Sequence, residues 1–234
     1  MLQPRQCEPG RATRGAAFRF ACALLLLGLG SALANWEFAL IIEKAESRYG
    51  SLGAAKQRIQ AWDELIQASS GLAENQQLAE VNRFFNRQLR FTDDIRLWRA
   101  NDYWATPIEA LVKGAGDCED YSIAKYFTLR RLGIPSEKLR ITYVKALRQN
   151  QAHMVLTYYP SPGAQPLILD NLDPQIRPAS ERSDLLPVYS FNDLGVFLAK
   201  APQRVSQPPQ FLARWSELTE RAMADGSAPT ASRG

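Results

Sequence analysis

The feature of the sequence that most restricts its fold is a helix with both ends marked, followed at once by strand-like segments. The helix is predicted to begin at Cys118, because Asp117 is a favourable N-cap residue and acidic residues follow it in the first turn. It is predicted to end at Gly133, since the order Gly133-Ile134-Pro135 is typical of a helix C-terminus. This helix divides the chain into two halves of different character.

Three strand-like segments follow the helix, at residues 139–147, 152–159 and 166–172. In the middle segment apolar and β-branched residues recur at every second position, as they do in a half-buried strand. A further short strand near 187–191 and a helix near 210–224 complete the second half.

The first half is predicted to be helical. Apolar residues recur at helical spacing over residues 54–68 and again over residues 78–89, whereas residues 91–107 form an irregular segment rich in aromatic residues. Helices followed by an antiparallel meander predict an α+β domain. We expect this domain to span residues 35–224 and residues 225–234 to form a disordered tail.

Residues 1–34 are predicted to be a secretory signal peptide. They contain four arginines, then a short apolar run, and they end in the small-residue pattern Ala32-x-Ala34. The apolar run is shorter than the roughly 20 residues that a membrane-spanning helix needs, although a retained signal anchor is the alternative. We therefore expect export of the protein and cleavage after Ala34.

Removing this leader changes the charge of the chain. The full sequence has 28 basic and 24 acidic residues. The leader holds four arginines and one glutamate, so the remaining chain has 24 basic and 23 acidic residues. A nearly neutral domain gives no support to nucleic-acid binding.

The predicted mature chain contains one cysteine, Cys118, because Cys7 and Cys22 lie in the leader. A single thiol cannot form an internal disulfide, so it is either a buried, inert residue or a functional one. Its neighbours in the stretch GAGDCEDYS are acidic, which should raise the thiol pKa. The start of a helix acts in the opposite direction, because it favours the thiolate.

The single histidine of the sequence, His153, lies in the middle strand segment, where a lone histidine is often only structural. If the turn PSPG closes a hairpin centred between Ser161 and Pro162, His153 and Asp170 are equally distant from its centre. They would then lie opposite each other, with Cβ atoms roughly 4.5–5.5 Å apart. A longer or bulged loop would give another register. A thiol, an imidazole and a carboxylate so placed have the chemistry of a nucleophile, a base and an orienting group.

Three stretches carry a resemblance to a known family. GAGDCEDYSIAKYFTLRRLGIP, AHMVLTY and PLILDNLDPQI resemble the bacterial transglutaminase-like cysteine proteases, and within them the periplasmic proteases that release surface adhesins. The resemblance extends over roughly residues 36–197. It implies a papain-like, transglutaminase-like core with N-terminal helices and an antiparallel sheet, and a catalytic triad of Cys118, His153 and Asp170.

The same resemblance implies a function. A member of this family would be a periplasmic, calcium-dependent thiol endopeptidase that cleaves the N-terminal region of a large cell-surface adhesin at a di-alanine site and so controls biofilm attachment. The implied inhibitory partner is an inner-membrane cyclic di-GMP receptor, whose periplasmic domain would sequester the protease.

The acidic neighbours of the cysteine are candidate calcium ligands. Asp117 and Glu119 occupy positions that the family uses for calcium, and Asp120 is a further candidate. Calcium takes several oxygen ligands, and a bound cation would offset the negative charge around the thiol. In the alternative interpretation, Asp117 only caps the helix and the other two acids only favour its dipole.

Three other functions remain open at this point. The same triad could serve a transglutaminase-like acyltransferase or a peptidoglycan peptidase, because acyl-enzyme chemistry does not specify the acceptor. The chain could also be a non-enzymatic calcium-dependent binding module in which the thiol has no role.

Overall fold

The computed structural model describes residues 37–198, 201–205 and 209–229, and for residues 201–205 and 209–212 it describes the backbone alone. The predicted signal peptide lies outside these ranges. The described residues from 41 onward belong to one compact unit, which holds all the elements that build the site. Within the described ranges, no helix has the length and apolar character needed to cross a membrane.

The described chain contains seven helices and nine strands. The helices are α1 (37–49), α2 (Ala54–Ser69), α3 (Glu74–Gln88), α4 (Asp94–Leu97), α5 (Pro107–Lys113), α6 (Cys118–Arg131) and α7 (Pro209–Asp225). The strands are β1 (Arg90–Phe91), β2 (Ala115–Gly116), β3 (Leu139–Ala146), β4 (Gln151–Tyr158), β5 (Leu167–Leu169), β6 (Arg177–Pro178), β7 (Leu185–Asn192), β8 (Gly195–Leu198) and β9 (Ala201–Val205).

Seven of the strands form one antiparallel sheet in the order β6-β5-β4-β3-β7-β8-β9. Helix α6 packs against β3 and β4, and α3 packs against α6. The layers of helix and antiparallel sheet confirm the predicted α+β class. The sequence predicts β3, β4, β5 and β7, but it does not predict β6, β8 or β9.

Helix α6 begins and ends where the sequence predicts. Gly133 has a φ of 94°, in the left-handed region that glycine adopts most readily. Its N–H donates to the Arg130 carbonyl at 3.1 Å, and the Ile134 N–H donates to the Leu129 carbonyl at 3.0 Å. These two bonds are those of a Schellman motif, and Ile134 is buried beside them. The C-terminal end of α6, remote from Cys118, is therefore capped.

The core lies between α6, the helices that precede it and the inner face of the sheet. Trp62 of α2 is fully buried, and its indole N–H donates to the Thr128 hydroxyl of α6 at 2.9 Å. Such a bond satisfies the polar tip of an otherwise apolar side chain. The other fully buried side chains of this core include Ile59, Leu78, Phe85, Ile123, Leu129, Ile141 and Leu156.

The register between β4 and β5 differs from the predicted one. Tyr158 pairs with Leu167 and Leu156 with Leu169, so the ladder is displaced by two residues from a hairpin centred between Ser161 and Pro162. The connection is an eight-residue loop over 159–166 instead of a tight turn. Its three prolines explain the length, because proline has no N–H to donate to the ladder.

The ordered chain also extends further than predicted at its C-terminal end. Asp225 closes α7, and Ser227 and Ala228 are buried. The Arg131 guanidinium donates to the carbonyls of Gly226 at 3.0 Å and Ala228 at 3.3 Å. The prediction of a disordered tail starting at residue 225 is therefore wrong for residues 225–228, and residues 230–234 lie outside the described ranges.

Candidate active site

His153 and Asp170 form a buried pair. The histidine Nε2 lies 2.8 Å from Asp170 Oδ1, and 3% of the His153 side chain is exposed. Strand β5 ends at Leu169, so one more step of the ladder would place Asp170 opposite Val155. That position is two residues from His153 and on the same face, because side chains alternate along a strand. The predicted contact is present, although the register that suggested it is wrong.

The Asp170 carboxylate has partners on both oxygens. Oδ1 also accepts from the Leu172 N–H at 3.0 Å, and Oδ2 accepts from Arg182 Nη2 at 2.8 Å. Asn86 of α3 donates to the Asp170 carbonyl at 2.8 Å. Burial disfavours the charged form, but the bonds with His153, Leu172 and Arg182 outweigh it and lower the pKa of Asp170 to about 2. The carboxylate is thus a fixed, ionised partner for the histidine.

Cys118 is the first residue of α6, the helix that packs on the strand of His153. The backbone N–H of Met154, the residue after His153, lies near the sulfur. The thiol also donates to Glu119 Oε2 at 3.0 Å. Burial, followed by the charges of Glu119 and Asp117, raises the pKa of the Cys118 thiol. Burial and the acidic neighbours together therefore favour the neutral thiol.

The three predicted metal ligands, Asp117, Glu119 and Asp120, meet two further carboxylates that the sequence analysis did not identify. Asp94 lies with Asp117 and Asp120, and it also lies with Asp102 and Glu119; within each group the oxygens are within 4.8 Å of one another. Both added residues come from the segment between β1 and α5, where Asp94 begins the short helix α4 and Asp102 follows it. That segment reaches the start of α6 through the short β1–β2 pair, which residue spacing alone does not reveal.

Asp120 anchors this cluster in the interior. It is fully buried, and its Oδ1 accepts from the Ala105 N–H at 2.8 Å while Oδ2 accepts from the Asp117 N–H at 3.3 Å. A Cβ added at Gly116 would lie 2.7 Å from both Asp120 Cβ and Oδ2, which is too close for any side chain. Gly116 therefore allows the β1–β2 pair to approach the carboxylate.

Two of the clustered carboxylates are under-satisfied. Oδ1 of Asp94 and Oδ1 of Asp117 are buried and have no hydrogen-bond partner among the residues that the structure describes. Burial, then neighbouring carboxylates, raises the pKa of Asp117 to about 10; burial likewise raises the pKa of Asp94 to about 6. An all-oxygen donor set with unsatisfied buried atoms fits a hard divalent cation.

Comparison with known proteins identifies the family that this chain resembles. A family profile described as bacterial transglutaminase-like cysteine proteinase BTLCP matches residues 56–184, the range that contains Cys118, His153 and Asp170. No curated protein sequence matches the chain.

Solved structures of LapG from Legionella pneumophila are similar to the chain. The calcium-bound form has a TM-score of 0.69 and 43% identity, and the alignment covers 79% of this chain and 98% of that one. The EGTA-treated form has a TM-score of 0.69 and 44% identity, and the alignment covers 79% of this chain and 96% of that one.

The lowered pKa of Asp170 predicts a loss of stability in acid. A carboxyl whose folded-state pKa lies below its unfolded value stabilises the fold above the unfolded pKa, and this contribution is lost as the pH falls through the folded pKa. With a shift from 3.8 to about 2, we expect a loss of about 2 kcal/mol between about pH 4 and pH 2. Urea unfolding over this range should show that Asp170→Asn lacks this part of the pH dependence. Asp173→Asn, on the adjacent loop, should keep it; an unchanged slope in Asp170→Asn would contradict the assignment.

Proposed function

The chain belongs to the bacterial transglutaminase-like cysteine proteinases, and we propose that it is a calcium-dependent endopeptidase in which Cys118, His153 and Asp170 form the catalytic triad. The observation that carries this proposal is the buried His153–Asp170 pair, whose histidine lies on β4, the strand against which the Cys118 helix packs. These three residues have the chemistry of a nucleophile, a base and an orienting carboxylate.

The contacts of His153 assign a different chemical role to each of its ring nitrogens. Nε2 faces Asp170, which leaves Nδ1 to take the thiol proton from Cys118. The thiolate then attacks the carbonyl carbon of the scissile peptide bond, the C–N bond breaks as His153 returns the proton to the leaving amine, and a thioester remains. Water, deprotonated by His153, hydrolyses the thioester and restores the thiol. Asp170 holds the ring and stabilises its charged form.

Calcium is proposed as the cation of the acidic cluster. Calcium would be held through carboxylate oxygens. Its ligands would be Asp94, Asp117, Glu119 and Asp120, with Asp102 at the exposed side. The similarity to LapG, which has been solved in calcium-bound and EGTA-treated forms, supports this assignment. When bound, the cation supplies positive charge beside the nucleophile; without it the carboxylates repel one another and disfavour the thiolate.

The substrate, partner and location follow from the family resemblance. We propose a periplasmic protein that cleaves the N-terminal region of a large surface adhesin at a di-alanine site, and so controls attachment in biofilms. Its inhibitory partner would be the periplasmic domain of an inner-membrane cyclic di-GMP receptor. This proposal rests on the resemblance of the stretches around Cys118, His153 and Asp170 to the family.

The first expected outcome concerns the nucleophile. Cys118→Ala and His153→Ala should each abolish cleavage of a recombinant adhesin N-terminal fragment that contains a di-alanine, because each removes a reacting group. Electrophoresis and mass spectrometry of the products would locate the cut, and a fragment with the two alanines changed to glutamates should stay intact. Thermal unfolding of Cys118→Ala should match that of the wild type. Cleavage by Cys118→Ala at the wild-type rate would refute the mechanism.

The same assay separates the competing functions. Wild-type protein that leaves the fragment intact but releases peptides from purified cell walls would be a peptidoglycan peptidase. Amine incorporation into the fragment without cleavage would indicate an acyltransferase. No reaction in any of these assays, with calcium binding retained, would favour a binding module.

The second expected outcome concerns the metal. Chelation by EGTA should suppress cleavage and added calcium should restore it, whereas magnesium should substitute poorly because it requires a tighter octahedral shell. Direct calorimetry should show calcium binding that Asp94→Asn weakens at least about tenfold, because a buried ligand charge is lost. Asp93→Asn is the matched control, since Asp93 is the adjacent residue and is exposed. Full activity after exhaustive chelation, or equal calcium affinity in the two variants, would remove the metal from this cluster.

The third expected outcome concerns the partner. The purified periplasmic domain of the receptor should form a complex with this protein at micromolar concentrations, visible by size-exclusion chromatography and calorimetry. The complex should block cleavage of the adhesin fragment. Absence of a complex under these conditions would refute the partnership and leave the triad chemistry unaffected.

A further inference from the structure

Arg182 is a buried arginine that contacts the candidate triad from outside it. It follows the 3₁₀ turn Ala179–Glu181 and precedes β7, and 4% of its side chain is exposed. Nη2 donates to Asp170 Oδ2 at 2.8 Å. Nε and Nη2 each donate to Asp184, at 3.0 Å.

The guanidinium is thus shared between a buried and a more exposed carboxylate. Asp184 is bound by two parallel donors, and its side chain is 20% exposed. Asp184 alone could neutralise the arginine near the surface. The third bond, to the fully buried side chain of Asp170, places positive charge where desolvation is most costly. This placement suggests a role in the site in addition to packing.

The effect of that third bond is on the orientation of the Asp170 carboxylate. Oδ1 accepts from His153 and from the Leu172 N–H, and Asn86 fixes the backbone carbonyl. Oδ2 accepts from Arg182 alone among the described residues. Without Arg182, one edge of the carboxylate would be unrestrained, and the group could rotate away from the imidazole.

We propose that Arg182 is a positioning residue of the triad, which fixes the Asp170 carboxylate so that His153 keeps its proton on Nε2 and offers Nδ1 to Cys118. The proposal rests on the proposed protease function for its kinetic consequence only. The tautomer of His153 is a property of the folded protein and can be measured without a substrate.

Two other titratable groups of the described residues face Asp170, namely His153 on β4 and Lys125 on α6. Lys125 is fully buried, burial lowers its pKa to about 7, and the charge of Asp170 acts in the opposite direction. Its ammonium group lies 5.7 Å from the centre of the Tyr121 ring. Lys125 therefore acts on Asp170 through its charge, whereas Arg182 is the cation that holds the carboxylate by a direct bond.

The chain offers a direct probe, because it contains a single histidine. In protein labelled with ¹⁵N-histidine and prepared without a histidine tag, the ring nitrogen shifts report His153 alone. At a pH where the ring is neutral, we expect one dominant tautomer with the proton on Nε2 in the wild type. Arg182→Met should give a mixture of tautomers, and kcat for the adhesin fragment should fall about 100-fold, the scale of a small misplacement of a reacting group. KM should change little.

Two further variants make the result decisive. Asp184→Asn removes the other partner of Arg182 and leaves Asp170 untouched, so it should keep the single tautomer and most of kcat. Arg182→Lys keeps a positive charge but loses the planar guanidinium, so its kcat and its tautomer ratio should lie between those of the wild type and Arg182→Met. If Arg182→Met unfolds at low temperature, Arg182→Lys takes its place in the test.

A single tautomer retained in the arginine variants, or the same mixture in Asp184→Asn, would overturn the positioning role. A changed tautomer in a protein that proves inactive on every adhesin fragment would uphold the role of Arg182 and refute the proposed substrate instead.

Discussion

The site depends on the burial of one negative charge, that of Asp170. A carboxylate taken out of water is unstable unless it is paired and hydrogen-bonded, and here the partners come from separate parts of the chain. His153 comes from β4 and Arg182 from the segment before β7, and the Leu172 N–H adds a bond from the following loop. Satisfying this one charge therefore joins segments on both sides of the central strand β3, and it orients the histidine in doing so. Asn86 of α3 ties the same residue to the helical half of the domain through its backbone carbonyl.

A second, opposite situation exists at the start of α6. There the carboxylates of Asp94, Asp117 and Asp120 are brought together with no cation among the described residues close enough to pair with them. The backbone N–H groups of Ala105 and Asp117 satisfy Asp120, but they do not neutralise the cluster. The two halves of the site thus differ in their source of positive charge. The imidazole half carries its own arginine, whereas within the described residues no cation pairs with the carboxylates of the thiol half.

The contrast between local and long-range information explains what the sequence could predict. Helix α6, its cap at Gly133 and strands β3, β4 and β7 depend on residue types at short spacing, and all were predictable. The contact of His153 with Asp170 was found through a register that is wrong by two residues, and it survives because such a displacement keeps both side chains on one face. Asp94 and Asp102 lie far along the chain from the carboxylates of α6, and Arg182 is separated from Asp170 by a loop, a strand and a 3₁₀ turn, so no local pattern assigned them.

The absence of a side chain at Gly116 has an evolutionary meaning. A single methyl group there would collide with Asp120 and separate the β1–β2 pair from the helix that carries the thiol. Residue 116 thus carries no functional group, yet random mutagenesis would rank it with the residues that do. Position 116 is therefore closed to substitution by the packing behind it, although it takes no part in the chemistry.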